Sequence, residues 1–231
     1  DGDGETPQIS EMLIGSWEIR SVAGSAMHEK TFLTLTETGE FFFFNLDADG
    51  DNCRIVGYEY GIYSYADSAF TFNRTIDTNG CVGLFDSTEN QNQMVMDISA
   101  IGINSFTGSD SNPQDPFSLN FTRLLTTSDS IVGPWHEPLF EGGGLDGLEA
   151  NNQSNVVLYL PNGYFYAMNA DINNIAENDF GYGTYGADLA NTMLSSTFLF
   201  DGAGNEAIGE EGTLNNVIIE AGRLQYNTVE D

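Results

Sequence analysis

Basic side chains are what this chain has least of: six lysines and arginines stand against 35 acidic residues in 231, a formal charge of −29. A surface of that sign repels phosphate backbones and anionic headgroups and favours cations, basic partners and salty surroundings. Nucleic acid is therefore not an expected partner. Histidine is nearly missing as well, with only His28 and His136, so Ser-His-Asp, Cys-His and histidine-rich metal sites are hard to assemble. The longest apolar run, around Phe41–Phe44, is of strand length, and direct membrane insertion is not expected. The glycine patterns of nucleotide-binding loops, G-x-S-x-G and HExxH are absent. Cysteine is limited to Cys53 and Cys81, without CxxC spacing.

What the chain has instead is β-sheet chemistry, stated nearly twice. Gly15, Trp17, Gly39, Gly61, Tyr63 and Asp77 have counterparts in Gly133, Trp135, Gly163, Gly183, Tyr185 and Asp201, a displacement of roughly 120 residues that suits a duplicated small domain and is far too long for a solenoid. Short runs rich in Thr, Phe, Tyr, Val and Ile, broken by turn residues, predict strands at 16–23, 31–37, 40–46, 57–66, 69–76, 93–100, 103–109 and 117–125. Ser10–Leu13 reads as one helical turn ahead of them. Phe117, Leu119, Phe121 and Arg123 share one face of the last strand, opposite Ser118, Asn120 and Thr122. In 57–66 both faces are rich in tyrosine, which suits either packing against a neighbour or a half-exposed strand. The second repeat predicts strands near 135–139, 155–160, 163–169, 180–187, 192–200, 216–220 and 223–229 and no counterpart of FSLNFTRL.

The expected fold class is all-β: two tandem small antiparallel up-and-down barrels or barrel-like meanders. The expected organisation is a disordered leader at 1–8, a first domain at 9–125, a linker at 126–131 and a second domain at 132–231 that lacks its last strand. Such a domain leaves an open sheet edge, which either a strand from another chain or a continuation of the natural chain would cover. The opening DGDGETPQ has the look of a linker left after removal of an export signal or lipid-anchor segment.

Gly15-x-Trp17 at the start of the first strand, taken with Arg123 at the end of the last, resembles the lipocalin and wider calycin signature. That resemblance implies a short helical turn leading into Gly-x-Trp, an indole closing one end of the barrel and an arginine packed across it. The motif recurs at Gly133-Pro134-Trp135, where the second repeat lacks the closing arginine. The run GYEYGIYSYADSAFTFNRTIDTNGCVGL also resembles a repeat module of bacterial exported proteins, with an E-x-G-x-Y strand followed by a D-x-N-G turn. No activity is established for that module; it implies export to the bacterial cell surface, periplasm or exterior. Gly181 replaces Glu59 in the second repeat.

Candidate sites are few. Asp47, Asp49 and Asp51 fall at calcium-loop spacing, but Gly50 comes one position early and Tyr58 stands where the bidentate acid belongs. The expectation is either calcium in another geometry or an exposed acidic hairpin loop, with no other cofactor. Asp77, Asn79 and Gly80 read as a turn. Cys53 and Cys81 read as a disulfide in an exported protein, or as two buried thiols. His136-Glu137 beside Trp135 reads as a strand-end surface pair, and no catalytic residue is assigned. The structural residues are then Trp17, Arg123, Trp135, Cys53 and Cys81. These readings favour a non-enzymatic structural or adhesive protein, self-associating through the open edge. A binding protein for a small apolar ligand is the alternative, and a carboxylate-pair hydrolase a third.

Overall fold

The computed structural model describes residues 9–22, 25–26, 31–45, 56–79, 83–85, 91–110, 117–124, 131–137, 153–171, 179–201, 209, 211–220 and 223–228. The chain divides into two compact units, Asp1–Leu124 and Leu125–Asp231. Asp47, Asp49, Asp51, Cys53 and Cys81 lie outside the described residues, as does His28.

The first unit opens with one helical turn, α1 (Ile9–Leu13), and continues through β1 (Gly15–Val22), β2 (Ser25–Ala26), β3 (Thr31–Leu35), β4 (Glu40–Asn45), β5 (Gly57–Ala66), β6 (Ala69–Asp77), β7 (Gln93–Ser99), β8 (Ser105–Asp110) and β9 (Phe117–Arg123). From β3 to β9 each strand pairs with the next, and β1 pairs with both β3 and β9, so eight antiparallel strands close into a ring while β2 pairs with the far end of β1. β1 pairs with β3 and β9 at once at Trp17 and Glu18, and its ladder with β9 shifts register between Ile19 and Ser21. Its first half lies against β3, from Gly15↔Leu35 to Glu18↔Phe32, and Trp17–Val22 lies against β9. The result is an up-and-down, lipocalin-like barrel.

Alternation supplies its core. Met94, Met96 and Ile98 of β7 are buried while Gln93, Val95, Asp97 and Ser99 are exposed. In β4 Phe41 and Phe43 face inward; Phe42 and Phe44 lie on the other face and are buried too, beside Tyr60 and Tyr58 with ring centroids 5.1 and 6.5 Å apart. The two-sided aromatic strand β5 divides along its length: Tyr58 is buried, and Ile62 is 58% exposed. Asp67 and Ser68 join β5 to β6 with φ of 52° and 62°, the left-handed pair that a two-residue hairpin turn demands.

The second unit contains β10 (Gly133–Glu137), β11 (Gln153–Tyr159), β12 (Tyr164–Asp171), β13 (Asp179–Asp188), a 3-10 turn at Leu189–Asn191, β14 (Met193–Asp201), β15 (Glu211–Glu220) and β16 (Arg223–Thr228). They form one antiparallel sheet of seven strands in sequence order. The expected second barrel is not formed among the described residues, because β10 and β16 have no pairing with each other. The physical reason is parity. Seven strands of alternating direction leave the two end strands pointing the same way, and only a parallel pair could join them in a sheet that is otherwise antiparallel.

Details recur in both units. In the first, the β3–β4 turn is held by Gly39 N–H to Thr36 O (3.2 Å), Tyr63 N–H to Gly39 O (2.7 Å) and Tyr63 Oη–H to Thr36 O (2.8 Å). In the second, Gly163 N–H to Leu160 O (3.1 Å), Tyr185 N–H to Gly163 O (2.8 Å) and Tyr185 Oη–H to Leu160 O (2.9 Å) repeat the arrangement. Gly39 and Gly163 both have positive φ, 85° and 83°, which is why glycine stands at this turn.

Candidate functional site

Two constellations in the first unit bring polar chemistry to the barrel core. The first is where β1 begins. Trp17 is fully buried, donates Nε1–H to Leu13 O at 2.9 Å and meets Phe106 edge-on, with centroids 4.7 Å apart. The Arg123 guanidinium carbon lies 4.0 Å from the centroid of the Trp17 ring. Its nitrogens donate to three carbonyls: Nε to Ile103 O at 2.6 Å, Nη1 to Ile14 O at 2.8 Å and Nη2 to Met12 O. One side chain therefore ties α1, the entry to β1 and the β7–β8 loop together. Room for it comes from Gly15, where an added Cβ would sit 2.6 Å from Arg123 Nη1. A guanidinium over an indole, partly withdrawn from water, contributes about 1 kcal/mol. The planar fork matches three carbonyls in a way an ammonium cannot.

The second constellation is built around Glu59. The register runs Trp17↔Leu33↔Phe43↔Glu59↔Asp77 across five neighbouring strands, so Glu59 points inward with the aromatic core. It is fully buried. Its Oε2 accepts from Leu84 N–H at 3.2 Å and its Oε1 from Phe85 N–H at 3.1 Å. Leu84 and Phe85 belong to the buried core cluster, so the carboxyl pins an apolar plug by its backbone. An added Cβ at Gly83 would fall 1.7 Å from Glu59 Oε1; only glycine lets the plug's backbone come this close.

Asp77 anchors the surroundings. Its Oδ1 accepts from Asn79 N–H at 3.2 Å, and its Oδ2 from Arg74 Nη1 at 2.5 Å. Arg74 in turn lies over the Phe85 ring at 5.1 Å and reaches Asn92 Oδ1 at 3.3 Å. The buried Asn79 side chain lies beside Glu59 and favours its ionised form, though outside the geometry of a full hydrogen bond; Asn79 Oδ1 has no partner among the described residues. Burial above all, and the Asp77 charge after it, raise the Glu59 pKa from 4.5 to about 8, against the opposing pull of the two N–H groups and Asn79. At neutral pH this carboxyl is protonated.

This arrangement does not work as a hydrolytic pair. Asp77 is already committed to Arg74 and Asn79, and Glu59 has no exposed surface through which a substrate or water could arrive. Among the described residues, no group of three or more His, Cys, Asp or Glu side chains is placed to hold a metal ion, and no helix is long and apolar enough to cross a membrane. His136 sits in β10 opposite Val156. Trp135 donates Nε1–H to Ile131 O at 2.7 Å and is only partly buried. Sequence reasoning had Glu59 as a letter of a strand motif and Asn79 as a turn residue; an acid in phase with Gly57, Gly61 and Tyr63 on the inward face was the available signal.

The fold and site together define the class: a closed lipocalin-like barrel with a side-chain core, followed in the chain by a seven-strand antiparallel sheet that does not close among the described residues. No family model and no curated protein matches the chain. Five solved chains do match it. Among them is a lipocalin-like protein from Bacteroides uniformis, 13% identical, with a TM-score of 0.37 over 48% of this chain and 98% of that one.

Proposed function

We propose that this is a non-enzymatic protein of the bacterial envelope or exterior that acts structurally or adhesively, using tandem β-domains as rigid bodies. The observation that carries this reading is the filled barrel. Trp17, Phe41, Phe70, Phe72, Phe106 and Phe121 are each at most 1% exposed. Their rings touch in a continuous chain, with centroid separations of 5.0 Å for Phe41–Phe72, 5.3 Å for Phe70–Phe72, 6.2 Å for Phe70–Phe106 and 4.3 Å for Phe106–Phe121. Eight-stranded barrels are just wide enough for side chains to fill. This one is filled by aromatic rings, and Leu84 and Phe85 add a plug. The turn and bulge geometry common to both units supports a duplicated module, and the acidity of the chain suits a protein exposed to salt.

The competing reading, a carrier of a small apolar ligand, rests on barrel topology alone. Titration with a fluorescent fatty-acid probe separates the two. No saturable binding is expected at micromolar probe; one-to-one binding with quenching of tryptophan emission would overturn the structural reading in favour of the carrier. Export is tested separately by protease treatment of intact source cells, which should release peptides of this chain.

A further inference from the structure

Tension carried along this chain enters and leaves the first unit at one place. The chain comes in through α1 and Gly15 at the start of β1 and goes out through Arg123 and Leu124 at the end of β9. Those ends are neighbours in one antiparallel pair: Trp17 stands opposite Arg123, and Leu124 N–H donates to Ser16 O at 2.9 Å. The inter-strand bonds of such a ladder run across the strands. Pulling its adjacent ends apart therefore loads the bonds one pair at a time, from Trp17↔Arg123 towards Val22↔Leu119. A bare ladder held this way peels.

Arg123 stands at the first of those pairs. Its Nη1 donates to Ile14 O at 2.8 Å and its Nη2 to Met12 O, both on the incoming segment. Its guanidinium carbon lies 4.0 Å from the centroid of the Trp17 ring, and Trp17 Nε1–H donates to Leu13 O at 2.9 Å. On its own side the arginine is anchored again, by Nε to Ile103 O at 2.6 Å and by its backbone N–H to Asn104 O at 2.9 Å. Separating the two ends thus breaks two charge-assisted bonds, the indole contact and the Leu124–Ser16 bond before any deeper pair is loaded. Behind it the facing pairs are Glu18–Thr122, Ile19–Phe121, Ser21–Asn120 and Val22–Leu119, none of which includes a guanidinium.

We propose that Arg123 is a tension latch: it sets the force at which the first barrel opens when the chain is pulled, by holding shut the strand pair where that force enters. This rests on the reading of the chain as a structural or adhesive module and gives that module its mechanical fastening. The latch is directional. It resists separation of α1 and β1 from the end of β9, and it is not the first contact strained when the barrel is pulled from other points.

The test is single-molecule force spectroscopy on the intact 231-residue chain. Handles at the amino terminus and at Thr126 load the first unit along the chain. A second pair at Ala66 and Ser99, exposed positions at the ends of β5 and β7, loads the same barrel from elsewhere. Along the chain, Arg123→Ala should unfold at least about tenfold faster than wild type at the same force. Arg123→Lys, which keeps the charge without the fork, should fall between the two. Across Ala66 and Ser99 the alanine substitution should change the rate by less than about threefold, because the latch is still closed when the barrel gives way. Equal ratios along the two axes would reduce Arg123 to ordinary stabilisation and overturn the proposal, as would a ratio along the chain below about tenfold. If the alanine variant does not fold, the lysine variant carries the same comparison between axes. An overturned latch leaves the filled-barrel reading standing, and fatty-acid binding in the first barrel would overturn that reading without altering these force measurements.

Discussion

Arg123 and Glu59 solve the same problem by opposite means. Glu59 is fully buried in the barrel and Arg123 partly buried where β1 begins, and burial of either without partners costs free energy. Arg123, whose guanidinium is charged at any ordinary pH, is matched by an indole face and three carbonyls. Replacing it with alanine leaves those carbonyls without their donors, and Arg123→Ala should lower the unfolding free energy by about 3 kcal/mol, with Arg123→Lys recovering less than half. Urea denaturation measures this; a loss under about 0.5 kcal/mol would show the latch to be idle. Glu59 instead gives up its charge. Its folded pKa of about 8 exceeds the unfolded 4.5, so the native state holds the proton that the unfolded chain releases. The associated stability is fully present below pH 4.5 and is lost as pH rises to about 8. Relative to Glu59→Gln, which cannot ionise, wild-type stability should fall across that window by up to about 1.4 kcal/mol per pH unit. A stability difference between the two proteins that stays constant from pH 5 to 8 would sink this account.

At the scale of elements, each unit turns on a bulge with a glycine beside it. The β5–β6 ladder slips between Tyr60 and Gly61, and the β13–β14 ladder between Tyr182 and Gly183. At Gly61 an added Cβ would lie 2.1 Å from Asn73 O and 2.8 Å from Phe41 Cε1; at Gly183 the figures are 2.1 Å from Thr197 O and 2.7 Å from Phe165 Cε1. Backbone fills the space on one side and a core ring on the other, so neither can move cheaply. Gly61→Ala and Gly183→Ala should each cost about 2–3 kcal/mol. Gly163→Ala, strained only by its positive φ, should cost about 1 kcal/mol. Equal costs at all three positions in equilibrium unfolding would mean that conformational freedom, not close approach, keeps these glycines. The repeated glycines and tyrosines were legible as a pattern in the sequence. Their reason was not, since a bulge depends on how two strands slip past each other.

For the whole molecule, 35 acids against six bases make self-repulsion a standing cost of compactness. Screening relieves it, so the thermal midpoint should rise by several degrees between about 20 mM and 500 mM sodium chloride, where the Debye length falls from over 20 Å to under 5 Å. A flat response in calorimetry would show that the charges are spaced too widely to matter. The period-two runs, the turn residues and the repeat determined on their own that the chain is built of consecutive antiparallel strands. They also placed Gly-x-Trp and the arginine at the two ends of the first meander, because alternation and turn chemistry are local. Closure was decided only in three dimensions: Trp17 and Glu18 of β1 pair with β3 on one side and β9 on the other, whereas among the described residues of the second unit β10 and β16 have no pairing with each other. The burial of Glu59 was decided there too. An acid on the inward face of a strand is ordinary until a plug, Leu84 and Phe85, folds back from 25 residues away in sequence and brings its N–H groups to the carboxyl.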